Sequence, residues 1–247
     1  MRLLILGGTA DGRKLAARLH ARGITVIYSV AGLVRMPKLD CQIISGGFTR
    51  FGGLPTFIQR NSISAILDVT HPYAATMSAK AVNAAAQCLI PCWRFHRPAW
   101  RQSTDDRWQL FNTWESLATA LSGYRSVFLS CGQINQQQIN DLAANTQQQI
   151  VLRTAVQPKY HLPANIRWIK AIGPFTLEGE REVMHKYHID VVVSKNSGGN
   201  STVAKLFVAR ELNIPVFMLT RPKLPAVVHQ FSTQDDCLIH VLSVFSS

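Results

Sequence analysis

The sequence predicts an α/β protein made of two halves of similar size, each a mostly parallel sheet between layers of helices. Three observations lead there. Ile63 to Val69 and Val191 to Val193 are apolar without alternation, as strands buried on both faces of a parallel sheet should be. Helical spacing separates most such runs, and after residue 125 the order of strand, loop and helix starts again. Glycine pairs stand where a strand hands over to a helix, at Gly7-Gly8 and again at Gly198-Gly199.

In chain order, Arg2 to Leu6 is the first strand, and Gly7-Gly8-Thr9-Ala10-Asp11-Gly12 follows it. Leu15, Ala16 and Leu19 mark a helix that ends at Gly23, and Ile24 to Val30 is the second strand. Gln42 to Ser45 is a third strand, leading to Gly46-Gly47-Phe48 and Gly52-Gly53. Leu54 to Arg60 reads as a helix with Pro55 in its first turn, where a missing N–H is tolerated. The fourth strand, Ile63 to Val69, runs into Thr70-His71-Pro72-Tyr73-Ala74, and alanine-rich Ala75 to Cys88 suits a closely packed helix. Cys92 to Phe95 is the fifth strand, and the polar stretch Arg101 to Trp108 reads as a crossing between units. Beyond it, a helix is expected at 113–122 and strands at 126–130, 149–154, 166–171, 190–194 and 215–219. Gln133 to Gln149 reads as a solvated helix and loop, Glu178 to Tyr187 and Thr202 to Leu212 as helices, and 233–245 as the last helix. The expected domains are 1–125 and 126–247.

Hydrophobic residues make up 47% of the 247, enough for real cores, yet no apolar run approaches the roughly 18 residues of a membrane span. Leu3 to Leu6 is too short for a signal peptide, and the five cysteines include no CxxC pair. A cytoplasmic protein without a disulfide frame or metal site is expected. The formal charge is +12, with 15 Lys+Arg against 6 Asp+Glu before residue 126 and 11 against 8 after it. No block of like charge appears, so the excess suits a field that draws in anionic small molecules better than a nucleic-acid-binding tail.

The loops at strand ends carry the candidate chemistry. Gly7, Gly8 and Gly12 give GGxxxG, a variant of the turn that holds a pyrophosphate at a helix N-terminus. A carboxylate that would bind ribose hydroxyls is missing from Tyr28-Ser29-Val30-Ala31-Gly32, and Arg35 and Lys38 follow, which favours NADPH over NADH. Thr70, His71 and Tyr73 could donate hydrogen bonds or stack on a ring, although a histidine in such a loop also reads as a cap. Ser194-Lys195-Asn196-Ser197-Gly198-Gly199 joins a strand to a helix with a positive charge at its mouth, as an anion site would.

Taken in order, these loops resemble the precorrin-6A reductase family of corrin (vitamin B12) biosynthesis. The residues that carry the resemblance are Leu6-Gly7-Gly8-Thr9, Ser29-Val30-Ala31-Gly32, Gly46-Gly47-Phe48, Asp68 to Ala74, Arg97-Pro98-Ala99-Trp100, Gly173-Pro174-Phe175, Ser194 to Gly199 and Arg221-Pro222. Asp11 stands where the family often has Glu, Tyr73 where Phe is usual, and Cys131 where Thr is frequent. The resemblance implies two Rossmann-like three-layer domains facing a central cleft, and hydride transfer from NADPH, or alternatively NADH, to an anionic tetrapyrrole, precorrin-6A or its cobalt form. It implies cofactor contacts from Gly7, Gly8, Thr9, Asp11, Ser29, Ala31, Gly32, Arg35, Thr70 and Tyr73. Substrate contacts would come from Arg97, Trp100, Ser130, Gly132, Lys195, Asn196, Ser197, Gly198, Gly199 and Arg221. Asp68, His71 and Lys195 are the candidates to supply a proton or stabilise developing charge. A different Rossmann-fold NAD(P)-dependent oxidoreductase is the alternative. Its epimerase and short-chain dehydrogenase forms need a Tyr-x-x-x-Lys pair, which no tyrosine here begins.

Overall fold

The computed structural model describes residues 1–30, 32 and 38–245. The chain runs β1 (Arg2–Leu6), α1 (Ala10–His20), β2 (Thr25–Val30), β3 (Gln42–Ser45), α2 (Leu54–Arg60), β4 (Ile63–Asp68), α3 (Ala75–Gln87) and β5 (Cys92–Phe95). It continues through β6 (Trp108–Phe111), α4 (Trp114–Leu121), β7 (Ser126–Leu129), α5 (Gln136–Ala143), β8 (Gln149–Thr154) and β9 (Ile166–Lys170). Then come α6 (Leu177–Lys186), β10 (Val191–Lys195), α7 (Ala204–Glu211), β11 (Val216–Leu219), β12 (His229–Phe231) and α8 (Gln234–Phe245).

These strands form two six-stranded sheets, ordered β12-β5-β4-β1-β2-β3 and β6-β11-β10-β7-β8-β9. Every strand pairing is parallel. In both sheets the strand order reverses direction at an inner pair, β1 beside β4 and β7 beside β10, and that is where open α/β sheets bind ligands.

In the first sheet, Leu3, Ile5, Tyr28 and Leu67 face a core closed by Leu15 and Leu19 of α1 and by Cys237, Leu238 and Val241 of α8. The opposite face packs Leu4, Ile27 and Ile66 against Phe57 and Ile58 of α2 and Ala81, Ala84 and Ala85 of α3. The small side chains of α3 let that helix lie close to the strands. The second sheet repeats the plan, with α4 and α5 over Val127, Leu129 and Val193 on one face. On its other face Met184 of α6 and Leu206 and Val208 of α7 pack on Phe128 and Val192.

The two compact units are Met1–Pro98 together with the segment from Pro222 onward, and Ala99–Arg221. The expected boundary at residue 125 therefore falls inside the second unit, because the halves exchange their outer strands. β6 pairs with β11 in the second sheet, and β12 returns to pair with β5 in the first. Neither strand stands out in the sequence, since both lie at a sheet edge. Leu110 of β6 is 60% exposed, and His229 and Gln230 of β12 are exposed as well.

A fragment of residues 1–125 should therefore lack a cooperative melting transition, having lost β12 and the buried face of α8. Burying a Leu or Val side chain alone contributes about 1.5–3 kcal/mol. A chain joining 1–98 to 222–247 through a flexible linker should melt cooperatively by circular dichroism. Cooperative melting of 1–125 would show that the exchanged strand is dispensable.

Candidate functional site

The turn after β1 is braced from beneath. A Cβ on Gly7 would lie 2.2–2.4 Å from ring and hydroxyl atoms of Tyr28, so glycine lets the chain leave β1 against that side chain. The Tyr28 hydroxyl accepts from the Gly8 amide at 3.0 Å, and Gly8 itself has φ +106°. Burial pushes the Tyr28 phenol above its ordinary pKa, which keeps it neutral in this role. Thr9 caps α1 by accepting from the Gly12 amide at 3.0 Å, and its own hydroxyl donates to the Val69 carbonyl at 2.9 Å. The turn after β1 is thereby tied to the loop after β4. The Gly8 amide is spent on Tyr28 and the Gly12 amide on Thr9, so the amides for an anion are those of Ala10 and Asp11 at the start of α1.

Asp68 ends β4 and is 1% exposed. One carboxylate oxygen accepts from the Thr70 amide at 3.1 Å and the Thr70 hydroxyl at 2.7 Å. The other accepts from Ser78 at 2.6 Å and from Arg94 Nε at 3.1 Å. A buried carboxylate that accepts from four donors holds the loop in place. Asp68 is thus built as an anchor for the loop, beside the role expected of it, to supply a proton or stabilise developing charge. His71 is exposed, and its Nδ1 accepts from the Tyr73 amide at 3.3 Å, which leaves the proton of the neutral ring on Nε2. The His71 and Tyr73 rings lie 5.6 Å apart.

A cavity of about 410 Å³ opens at the carboxyl edge of the first sheet, lined by Gly7, Ser29, Gly46, Gly47, Phe48 and Thr70 among others. Lys80, Asn83 and Gln87 of α3 complete its polar lining. Its volume falls in the ordinary range for small-molecule sites. Among the described residues no carboxylate side chain lines it.

Several expected ligand contacts are spent inside the protein. Asp11 pairs with Arg97 and also accepts from Gln234 at 2.9 Å, so an expected cofactor residue and an expected substrate residue face each other. In the second unit the Asn196 side chain accepts from the Trp100 amide at 2.8 Å and donates to the Trp100 carbonyl at 3.0 Å. Arg221 Nε donates to the Asn196 carbonyl at 2.8 Å. These three brace one another. Ser130 accepts from Arg153 at 2.8 Å. Lys195, at the end of β10, is half-buried; Ser197 contacts Thr202 at 3.3 Å; Gly198 has φ +69°; and Gly199 leads into the turn before α7. Gly132 is exposed with φ +77° after β7, and Gly32 is exposed after β2. Ala31 and Arg35 lie outside the described residues.

Sequence reasoning missed Tyr28, the α3 residues of the cavity, and a buried polar cluster at the carboxyl edge of the second sheet. There Arg153 forms a two-pronged ion pair with Glu180, at 3.0 and 2.9 Å, and stacks 3.8 Å from the Phe175 ring. Lys205, 2% exposed, joins them. The available signal was a charge inside an apolar segment: Arg153 in Ile150-Val151-Leu152-Arg153, and Lys205 between Ala204 and Leu206.

Replacing Arg94 by Met should cost about 3–5 kcal/mol in urea denaturation, because Asp68 would remain buried without its counter-charge. The double variant Asp68→Ala with Arg94→Met should recover part of that loss. Equal stability of Arg94→Met and the unaltered protein would remove Asp68 from its anchoring role.

The comparisons with known proteins agree on a family. The model of the family described as precorrin-6x reductase CbiJ/CobK matches residues 2–241. Precorrin-6A reductase of Rhodobacter capsulatus is 37% identical over 230 residues, 91% of this chain and 90% of that protein. Cobalt-precorrin-6A reductase of Priestia megaterium is 29% identical over 234 residues, 90% of this chain and 91% of that one. Among solved structures, CobK precorrin-6A reductase superposes with a TM-score of 0.88 at 34% identity, covering 100% of this chain and 98% of that one.

Proposed function

We infer the reaction from one premise: this chain belongs to the precorrin-6x reductase family. It is an oxidoreductase that reduces precorrin-6A in cobalamin biosynthesis. The family is nicotinamide-dependent, and the finer reading, that NADPH is the donor, rests on the cavity of the first unit. Its wall carries Ser29 and Lys80 and, among the described residues, no carboxylate. A carboxylate there would repel a 2′-phosphate, whereas hydroxyls and an ammonium accommodate one. The glycine turn and the open cavity beside it fit a dinucleotide, with the adenosine end against Ser29, Gly46 and Gly47 and the pyrophosphate at the start of α1.

When bound, the reduced nicotinamide supplies the hydride. The protein's contribution is orientation and charge. Thr9 and Asp68 hold the two loops at the switch point in register, so the position of the nicotinamide end is set by buried hydrogen bonds. His71, whose Nδ1 accepts from the Tyr73 amide, can offer a hydrogen bond from Nε2 to charge that develops on the macrocycle, while the proton itself comes from solvent. Lys195 and the glycine-bearing loop after it offer charge-assisted hydrogen bonds to substrate carboxylates. The diffuse positive surface steers the polyanion in, and we place the reaction in the cytoplasm, a reading that five unpaired cysteines support.

Titration followed by nicotinamide fluorescence should show NADPH binding at least about tenfold more tightly than NADH, a difference of about 1.4 kcal/mol. Equal or reversed preference would overturn the NADPH assignment, and binding of neither would overturn the cavity as the cofactor site. In steady-state assays His71→Ala should lower kcat, while Lys195→Ala should raise KM for the macrocycle with kcat nearly intact. An unchanged kcat in His71→Ala would remove His71 from the stabilisation of developing charge.

A further inference from the structure

Among the described residues, Lys205 is a buried cation at the edge of the second sheet without an anion of its own. It sits in the first turn of α7, directly after the turn that follows the Ser194–Gly199 loop, and is 2% exposed. Its ammonium donates to the Thr202 carbonyl at 2.9 Å and lies 5.3 Å from the Trp100 ring centroid. Among the described residues that carbonyl is its one hydrogen-bond acceptor, although an ammonium carries three donors. Both oxygens of Glu180, the cluster's carboxylate, are committed to Arg153. Cys131 does not supply the missing charge, because burial pushes its thiol up and keeps it protonated. Two buried cations therefore share one buried carboxylate, which is costly unless an outside anion arrives or a proton leaves.

We propose that Lys205 is a positioning residue for the anionic substrate: from behind the Ser194–Gly199 loop its ammonium offsets the charge of a carboxylate held on that loop, and binding of that carboxylate draws a proton onto Lys205. This rests on the reductase reading above. The residue acts through the loop, by way of the Thr202 carbonyl and the contact between the Thr202 and Ser197 hydroxyls.

The groups that face Lys205 set the direction of the pH dependence. Burial lowers its pKa most, Arg153 of β8 lowers it further, and Glu180 of α6 acts the other way, while the protonated Cys131 thiol after β7 adds no charge; the result is about 7 against an ordinary 10.5. Below about 7 the ammonium is charged and attracts the substrate; above it the side chain is neutral and the attraction is lost. Stability of the free protein moves the opposite way. From about 7 to 10.5 the unfolded chain binds the proton and the folded one does not, so stability rises with pH across that window.

The test is isothermal titration calorimetry of the full-length protein with precorrin-6A, at pH 6 and pH 8, in buffers of different ionisation enthalpy. For the unaltered protein Kd should weaken about tenfold from pH 6 to pH 8, with net proton uptake near neutrality. Lys205→Arg, permanently charged, should bind at both pH values with neither the pH dependence nor the uptake. Lys205→Met should bind weakly at both. Retention of the tenfold dependence and the proton uptake in Lys205→Arg overturns the proposal, and this variant decides the matter even where Lys205→Met fails to fold. Tight, pH-independent binding by the unaltered protein also overturns it while leaving the reductase reading intact. No binding at either pH overturns that reading and this proposal together.

Discussion

The first unit turns on the guanidinium of Arg94. It is 3% exposed, donates from Nε to Asp68 at 3.1 Å, and donates from Nη1 to the Pro225 carbonyl at 2.8 Å. Asp68 in turn fixes Thr70 and, through Ser78, the first turn of α3. One buried cation thus ties the loop after β4 to the segment that brings β12 back to the sheet. A buried ion pair adds little net stability against an apolar alternative, but it specifies where its partners must sit. Here it seats the returning segment, and β12 then covers the edge of β5, which would otherwise present unpaired backbone groups.

Strand exchange explains why length and periodicity mark the halves but misplace their border. A sheet edge is exposed on one side, so β6 and β12 lack the unbroken apolar runs that announce β4 or β10. The chain from Pro98 to β6 and from β11 to β12 is polar or proline-rich, which reads as linker. Nothing in that composition tells which sheet a short strand joins, since the register rests on partners more than a hundred residues away, such as His229 with Trp93.

The site was legible at the level of loops and less so at the level of atoms. Glycine pairs at strand ends, a missing carboxylate after β2 and a lysine before Gly198-Gly199 all follow from local sequence, and the structure puts the turn after β1 and the loop after β10 at a carboxyl sheet edge. Side-chain assignments depend on who claims a hydrogen bond first, and that is a matter of tertiary contact. Asp11 and Arg97 neutralise each other across 86 positions, and Asn196 spends its amide on Trp100 across 96. Tyr28 lies within an apolar strand and reads as core, yet its hydroxyl shapes the glycine turn. Polar groups at a Rossmann edge are mostly consumed in holding the edge together, so residue type and position alone overcount ligand contacts.

The two switch points differ in charge, and that difference matches the partners proposed for them. In the first unit the buried polar group is balanced, with Asp68 against Arg94, and it is surrounded by neutral hydroxyls. A dinucleotide can be held there by backbone amides, a glycine cradle and a mostly apolar cavity, with little need for unpaired charge. The second unit leaves one cation over after Arg153 and Glu180 pair. An uncompensated buried ammonium is unfavourable in the free protein, and folding tolerates it only where the rest of the core is large enough to carry the cost. A polycarboxylate ligand is the natural counter-charge, since it relieves in the complex the same strain that the free protein carries. The cost in stability and the gain in recognition are then two sides of one electrostatic term.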